Sequence, residues 1–351
     1  MSVASVRFEN VTKAYGKVVA VRDVSFAVEA GTLVTLLGPS GCGKTTTLRM
    51  IAGLELATGG RIFIEDQDVT HLPATARDVA MVFQSYALFP HMTVLENVGY
   101  GLSVTRRPKA EVRERAEAAL ATVGLAGYGE RLPAELSGGQ QQRVAVARAI
   151  VLEPQVLLFD EPLSNLDTKL RRKVREELRD LQQRLGITSI YVTHDQEEAL
   201  AVSDRIIVMN QAVIAQAGTP RELYEEPVSR FVADFIGDAN LLAAEIARID
   251  GGRATVRVGS STLELPGRAL PPGAATLAVR PHAIRVHPEP VEAANRMSVS
   301  HAIYLGSHLE YELDGPVGHL FATVPAGGTM IPQGAEAWVT FDERSVALVP
   351  G

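Results

Sequence analysis

A run of small residues that ends in a lysine and a hydroxyl has the spacing of a phosphate-binding loop. The run is Gly38, Pro39, Ser40, Gly41, Cys42, Gly43, Lys44 and Thr45, followed by Thr46. It lies between an apolar segment and a predicted helix, the setting of a P-loop. Glycines let backbone N–H groups point at a β-phosphate, while Lys44 can reach the β- and γ-oxygens and Thr45 can bind Mg²⁺. A glycine-rich turn with an exposed lysine is the alternative, but every fixed position of the P-loop pattern is present.

Two adjacent acids follow the apolar segment Val156–Phe159. A P-loop needs an acid to hold Mg²⁺ and a group to orient water. We expect Asp160 to hold Mg²⁺ through water, and Glu161 to act as general base toward the attacking water. Capping of the following turn is the alternative role of such a pair.

Cys42 is the one cysteine of the chain and lies inside the predicted phosphate loop. It cannot form an internal disulfide, which fits a reducing compartment. A neighbouring helix N-terminus and Lys44 favour the thiolate, so we expect a reactive thiol if the sulfur is accessible.

Up to about residue 236, the elements that must position these groups alternate between short apolar runs and long charged helices. Val156–Phe159 is apolar at every position, which is typical of a strand buried on both faces and predicts a parallel sheet. Strand signals vanish over about residues 96–155, where we predict a helical subdomain with helices at residues 109–122 and 140–152. Further strands are expected at residues 33–37, 79–83, 189–193 and 206–209.

The chain changes to short alternating segments separated by glycine and proline after residue 238. We therefore predict an α/β domain over 1–237 and an all-β barrel or sandwich over 238–351. The length of 351 residues fits two domains of roughly 150 residues or more. Strands of the second domain are expected at residues 254–258, 262–265, 277–286, 309–313 and 337–341.

Composition excludes several classes of protein. The chain has 34 basic and 41 acidic residues, a net charge of −7, which argues against binding to nucleic acid. Its 46% hydrophobic and 21% charged residues exclude disorder as the main state. No apolar run reaches the ~18 residues of a membrane span, and the first ten residues lack the apolar stretch of a signal peptide. We expect a soluble, cytosolic protein.

A short motif before the acidic pair indicates the family. Its residues are Leu136, Ser137, Gly138, Gly139 and Gln140. This motif is identical to the signature of ABC-transporter ATPases and stands at that family's spacing from the acidic strand. Judged from the residues alone, a serine and paired glycines also suit the start of a helix. The resemblance implies the fold of an α/β P-loop NTPase with a helical subdomain, and a signature that binds the second ATP of a dimer.

Other positions resemble motifs of the same family. Tyr15 resembles the aromatic residue that stacks on adenine, although ordinary packing is the alternative. Gln84, after the strand at 79–83, resembles the glutamine that senses Mg²⁺ and water. Asp167 ends a segment that resembles the D-loop, with Asn165 where many members have alanine.

His194 resembles the switch histidine that contacts the γ-phosphate. A lone histidine is more often structural. This one is followed by Asp195 and Glu198, which we expect to cap a helix and fix the end of the preceding strand.

The resemblance implies a homodimer that closes over two ATP molecules, each between Lys44 of one subunit and Ser137 of the other. One cassette without fused membrane helices resembles an importer motor. It implies two integral membrane permease subunits, an extracytoplasmic solute-binding protein and a peripheral position at the cytoplasmic face of the inner membrane. A soluble ABC ATPase acting on nucleic acid or ribosomes is the rival class.

An apolar segment in a predicted loop suggests where the membrane subunit docks. We expect exposed side chains there, with core packing as the alternative. The side chains concerned are Tyr86, Leu88, Phe89 and Met92.

Residues 238–351 resemble the oligonucleotide-binding-fold module of importer ATPases for sugars, polyamines, ferric iron and phosphonates, chiefly at 279–286. The tail has few basic or aromatic residues, so we expect dimerisation or regulation and no nucleic-acid binding. Segments 96–102, 140–143 and 237–241 resemble the ferric-iron, phosphonate and polyamine branches more than the maltose branch. Ferric iron is favoured by kinship, since none of these residues would touch the substrate.

Overall fold

The structure is a computed structural model and describes residues 5–268 and 270–350. The chain forms two compact units that meet between Pro220 and Arg221. This division lies earlier in the chain than the predicted change from one domain to the next at 237/238.

The first unit combines strands and helices in alternation. Its strands are β1 Val6–Tyr15, β2 Val18–Val28, β3 Leu33–Leu37, β4 Gly59–Ile64, β5 Gln67–Asp68, β6 Val79–Val82, β7 Val156–Asp160, β8 Thr188–Thr193, β9 Arg205–Asn210 and β10 Val213–Gly218. Its helices are α1 Lys44–Ala52, α2 Val94–Val104, α3 Lys109–Thr122, α4 Gly138–Ile150, α5 Thr168–Leu185 and α6 Gln196–Val202.

The predicted parallel sheet forms the centre of this unit. Its order is β10-β9-β3-β8-β7-β6, with parallel pairing throughout except for the antiparallel edge strand β10. Every residue of β3 is buried: four are apolar, and the fifth is Thr35, whose hydroxyl lies 2.6 Å from that of Ser203. Leu37 pairs with Thr193 and Asp160 pairs with Val192. The carboxyl ends of β3, β7 and β8 therefore lie side by side, and the residues that follow them meet at one edge.

A second sheet in this unit, of order β2-β1-β4-β5, is antiparallel and was not among the predicted elements. Its inward residues include Val6, Phe8 and Val11, which are buried, and Phe8 stacks on Phe26 with ring centroids 4.5 Å apart. The sheet matters for the site because Tyr15 ends β1.

Helices α2, α3 and α4 occupy the stretch without strand signals. The observed bounds of α3 are those predicted, while α4 starts two residues before the expected Gln140 because Ser137 is its N-cap. The apolar side chains of Val98, Leu120 and Val144 are buried among these helices. No helix in the described part of the chain is long and apolar enough to span a membrane.

The second unit is mainly β-structure, as predicted. Its strands are β11 Asn240–Asp250, β12 Arg253–Val258, β13 Ser261–Pro266, β14 Gly273–Val279, β15 Ile284–His287, β16 Asn295–Tyr304, β17 His308–Gly315, β18 Gly318–Pro325, β19 Glu336–Phe341 and β20 Val346–Val349, and its short helices are α7 Pro220–Glu225 and α8 Arg230–Phe235. They form two antiparallel five-stranded sheets of order β13-β12-β11-β14-β20 and β15-β19-β16-β17-β18. The segment expected as one strand over 277–286 is two strands, because a 3₁₀ turn that starts at Pro281 separates them.

Arg280 explains why α7 and α8 belong to the second unit. Its buried guanidinium donates to the carbonyl oxygens of Ala233 at 2.7 Å and Tyr224 at 2.6 Å, and also to that of Ile236. These carbonyls lie near the C-terminal ends of α7 and α8, where an arginine satisfies free acceptors. Residues 221–236 are thereby fastened to the strand that precedes Arg280.

Candidate nucleotide site

The predicted phosphate loop connects β3 to α1 and depends on its glycines. Gly43 has φ +106°, and a Cβ there would lie 2.4 Å from the carbonyl oxygen of Ala20. A Cβ on Gly38 would lie 2.2 Å from the carbonyl oxygen of Met209. Only glycine fits these two positions, so the chain can turn tightly and begin α1 at Lys44.

Lys44 lies inside this loop and is only 6% exposed. Its Nζ donates to the carbonyl oxygens of Gly38 at 2.7 Å and Pro39 at 3.0 Å. An ammonium group has three donors. Two carbonyl contacts hold the charge in the loop, and the third contact is with Sγ of Cys42 at 3.9 Å, a weak acceptor that a phosphate oxygen can replace.

The expected thiolate at Cys42 is wrong. The side chain is buried, with 4% exposure. Burial raises the pKa of the Cys42 thiol, and this effect outweighs the opposing charge of Lys44. The charge of Lys44 lowers the pKa of the thiol as expected, but the loop buries the sulfur away from water. A sequence pattern does not indicate this burial.

Thr45 and Asp160 face each other across the sheet edge. The Thr45 hydroxyl donates to Oδ1 of Asp160 over 3.5 Å. Burial raises the pKa of the Asp160 carboxyl, Arg49 opposes the shift, and the charge of Glu161 adds to it. A hydroxyl and a carboxylate are oxygen ligands of the kind that Mg²⁺ prefers.

Glu161 and His194 meet directly after β7 and β8. Oε2 of Glu161 lies 3.0 Å from Nδ1 of His194, whose side chain is 60% exposed. Glu161 has φ +45°, a left-handed conformation that non-glycine residues seldom adopt, and its N–H donates to the carbonyl oxygen of Val192 at 3.0 Å. The backbone is thus turned so that the carboxylate meets the histidine at the open edge of the sheet.

A buried polar network holds the segment around His194. One part of this network, the helix cap at Asp195, was predicted from the sequence. The Asp195 carboxylate accepts from the N–H of Glu198 at 3.0 Å and begins α6. Glu198 also accepts from the hydroxyls of Tyr191 and Thr193. Burial raises the pKa of the Glu198 carboxyl. The expected pair of Asp195 and Glu198 thus caps α6 and also fixes the end of β8, through hydroxyl partners that the sequence pattern did not specify.

Gln84 and Tyr15 are exposed, on different elements. Gln84 follows the end of β6, and its carbonyl oxygen accepts from Nδ2 of Asn165 at 2.9 Å. The ring of Tyr15 is 46% exposed, and Nζ of Lys13 lies 4.7 Å from its centroid. Lys13 is itself paired with Glu55 at 2.9 Å, so the ring has a fixed neighbour.

The signature residues start α4. Oγ of Ser137 accepts from the N–H of Gln140 at 3.4 Å, and Oε1 of Gln140 accepts from the N–H of Ser137 at 2.9 Å, a capping box that confirms the expected helix start. Gly138 and Gly139 form the first turn, packed near Leu166 and Leu170.

A cavity of about 280 Å³ adjoins this turn, and among the described residues its lining includes Ser137, Gly139 and Gln140 but no residue of 38–46. Within one chain, the phosphate loop therefore does not line the cavity beside the signature. Asp167 begins α5, where its carboxylate accepts from the N–H of Leu170 at 3.0 Å.

The apolar loop after Gln84 is more packed than expected. Tyr86 is buried, and Leu88, Phe89 and Met92 are half-buried. Arg148 donates to the carbonyl oxygens of Tyr86 and Ala87, both at 2.7 Å. The prediction of an exposed Tyr86 is wrong because this arginine draws the loop backbone onto α4.

A glycine-rich loop, a buried lysine and an acid pair at the carboxyl edge of a parallel sheet define a P-loop nucleotide-binding protein. Residues 21–164 match the ABC transporter family, and residues 277–349 match the TOBE domain family. The chain is 60% identical over 349 residues to Fe(3+) ions import ATP-binding protein FbpC 1 of Rhizobium meliloti (strain 1021), covering 99% of this chain and 98% of that protein. It is 58% identical over 345 residues to Fe(3+) ions import ATP-binding protein FbpC of Brucella abortus (strain 2308), covering 98% of each.

A solved structure supports the same assignment. The dimeric post-hydrolysis state of the ATP-binding cassette MJ0796, bound to ADP and Pi, is 34% identical with a TM-score of 0.55, and the match covers 62% of this chain and 99% of that one. The chain belongs to the ABC transporter family of ATP-binding proteins. It binds ATP, and its activity is ATP hydrolysis coupled to transport.

Proposed function

We propose that this chain is the motor subunit of a binding-protein-dependent importer of ferric iron, and that Glu161 is its general base. The observation that carries the catalytic part is the pair of Glu161 and His194, 3.0 Å apart at the sheet edge that also holds the phosphate loop. A carboxylate fixed by a histidine is suited to take a proton from the attacking water. His194 also contacts the γ-phosphate, and Gln84 orients the water.

The remaining groups bind the nucleotide. Lys44, the backbone N–H groups of residues 38–46 and the ring of Tyr15 hold the phosphates and adenine of one ATP. Ser137, Gly138, Gly139 and Gln140 of a second copy hold the other side of the γ-phosphate, and Asp167 lies at the same dimer contact. The cavity beside the signature is not lined by the phosphate loop of the same chain, which supports a site completed by a partner.

The donors at this edge fit Mg²⁺. Thr45 offers a hydroxyl and Asp160 a partly buried carboxylate, and no lysine or arginine of the described chain forms an ion pair with Asp160. Gln84 is the third ligand in the proposed set. When bound, Mg²⁺ neutralises negative charge that develops on the phosphate oxygens.

Ferric iron as cargo rests on the two full-length relatives at 60% and 58% identity whose names state Fe(3+) import. Polyamine, phosphonate and sugar or sugar-phosphate import are the alternatives. The proposed assembly has two copies of this chain, two integral membrane permease subunits and an extracytoplasmic solute-binding protein. The chain then lies peripherally at the cytoplasmic face of the inner membrane.

The test is to co-purify the chain with its permeases, reconstitute the complex in liposomes and add the binding protein loaded with Fe³⁺, a polyamine or a phosphonate. We expect Fe³⁺-loaded protein to stimulate ATP hydrolysis, and iron to cross from the side of the binding protein to the side that holds this chain and ATP. A Glu161→Gln complex provides the matched control without hydrolysis. If only another cargo stimulates ATP hydrolysis, that cargo replaces ferric iron in the proposal. If the chain co-purifies with no membrane protein, the soluble ABC ATPase is favoured.

A further inference from the structure

Side chains tie the D-loop, residues Ser164–Asp167, to the loops that carry Gln84 and His194. On one side, Nδ2 of Asn165 donates to the carbonyl oxygen of Gln84 over 2.9 Å. On the other side, Arg171 in the first turn of α5 donates to the carbonyl oxygen of Leu166 over 3.1 Å. The second Nη of Arg171 lies 3.4 Å from the carboxylate of Asp195, directly after His194. One short segment is therefore bonded to the loops on both sides.

The connection through Asp195 reaches the backbone of His194. The N–H of Asp195 donates to Oγ1 of Thr193 at 3.0 Å, and Thr193 donates in turn to the buried Glu198. Residues on both sides of His194 are thus held by one network. Arg171 connects this network to the D-loop, since it is bonded both to Asp195 and to Leu166. A shift of Arg171 would therefore be transmitted to Asp195 and to the backbone of His194.

We infer that Asn165 and Arg171 are positioning residues for hydrolysis, and that they make the D-loop a strut that sets the spacing between Gln84 and His194. This inference rests on the proposed roles of Gln84 and His194. Neither strut residue forms a hydrogen bond or an ion pair with Lys44 in the described chain. Their loss is expected to impair the chemical step and leave nucleotide binding intact.

The chemistry of each residue allows near-isosteric tests. Aspartate in place of Asn165 keeps the shape and removes the N–H donor, since a carboxylate only accepts. Lysine in place of Arg171 keeps the charge but lacks the fork that reaches two acceptors at once. The Asn165 contact is exposed and the Arg171 contacts are partly buried, and single hydrogen bonds of this kind contribute modestly to the free energy of unfolding.

The experiment measures steady-state Mg-ATP hydrolysis by the full chain carrying Asn165→Asp, Arg171→Lys or both. We expect kcat to fall roughly 10- to 100-fold, as for misplaced catalytic groups, while KM for ATP stays within about twofold. Because both changes act on one strut, the double variant should lose less than the product of the two single losses. Arg172→Lys is the matched control: Arg172 is the next residue of the helix, is 78% exposed and pairs with Glu176 of the same helix. It should keep wild-type kcat.

A Glu161→Gln sample in the same assay separates the two claims. If Glu161→Gln hydrolyses ATP at the wild-type rate, the proposed catalytic function fails. If Glu161→Gln is inactive but Asn165→Asp and Arg171→Lys keep wild-type kcat, the strut is overturned. The strut is also overturned if the two variants change KM alone, since that result assigns the residues to nucleotide binding. A melting temperature that drops in parallel with activity overturns it too, since that result assigns them to folding.

Discussion

The carboxylate of Glu161 and the imidazole of His194 lie 3.0 Å apart although 33 residues separate them in the chain. Their meeting is a consequence of the sheet: β7 and β8 are parallel neighbours, and Asp160 pairs with Val192. The left-handed backbone of Glu161 then turns its side chain toward the residue that follows β8. Strand register and the left-handed backbone at Glu161 therefore bring the proposed general base to its histidine partner.

Glu161→Gln is expected to preserve ATP binding, because Asp160 remains for Mg²⁺ and Lys44 for phosphate. Hydrolysis should slow by ~10² or more, since glutamine cannot accept the proton. ATP would then hold the closed dimer. Gel filtration with Mg-ATP should show added dimer for Glu161→Gln and not for wild type. A monomeric elution profile together with near-normal turnover would reject the assignment of the base.

Asp160→Asn should stabilise the nucleotide-free chain while abolishing Mg²⁺-dependent hydrolysis. Burial raises the pKa of the Asp160 carboxyl in the folded state above its ordinary 3.8. The folded state then binds more protons than the unfolded state, so stability falls as the pH rises through this interval. Asparagine does not ionise, so it removes this loss of stability at higher pH. A higher melting temperature than that of wild type is therefore expected near neutral pH.

Differential scanning calorimetry over a pH series tests this prediction. The difference in melting temperature between Asp160→Asn and wild type should narrow as the pH falls toward 3.8. Thr45→Ser, which keeps the hydroxyl, is the control and should not alter this pH dependence. A gap that stays constant, or that widens in acid, would contradict a raised pKa at Asp160.

Cys42 should react slowly with a maleimide in the native chain, with or without ATP. The thiol is buried, and its raised pKa keeps it protonated near neutral pH. Labelling followed by mass spectrometry should show rapid reaction only after denaturation. Cys42→Ser should remain active and unlabelled. Rapid native labelling that ATP blocks would instead support an accessible thiolate in the phosphate loop.

Features that depend on neighbours within a few residues were predictable from the sequence. The phosphate loop between β3 and α1, the cap at Ser137 and the cap at Asp195 each need only a short pattern and are present as expected. The bounds of α3 also follow from local helical spacing. These features account for most of the candidate site, because its groups stand at element ends.

Features set by distant parts of the chain were not predictable. The burial of Cys42 and Tyr86 depends on how loops fold over the sheet and on Arg148, 62 residues beyond Tyr86. The bond from Asn165 to Gln84 joins residues 81 apart. A motif indicates which residues carry chemistry, but pKa values and cross-loop contacts follow from tertiary packing.

The last prediction concerns the site between subunits and uses one chain with Lys44→Ala and another with Ser137→Arg. Lys44→Ala removes the charge that faces the phosphates. Ser137→Arg puts a long side chain in place of the cap that begins α4, where the partner's γ-phosphate is proposed to bind. Each homodimer should be inactive, because both of its sites contain the same defect.

Mixing the two chains distinguishes sites between subunits from sites within one chain. In a heterodimer, one site combines the altered Lys44 with the altered Ser137, and the other combines the two unaltered residues. That second site should capture ATP, which photo-crosslinking across the dimer detects even if a single site does not support turnover. If each site lay within one chain, every site would keep one defect and no ATP would be captured. A verified heterodimer that fails to hold ATP between Lys44 of one chain and Ser137 of the other would therefore exclude the shared site, and with it the proposed closure of the dimer by ATP.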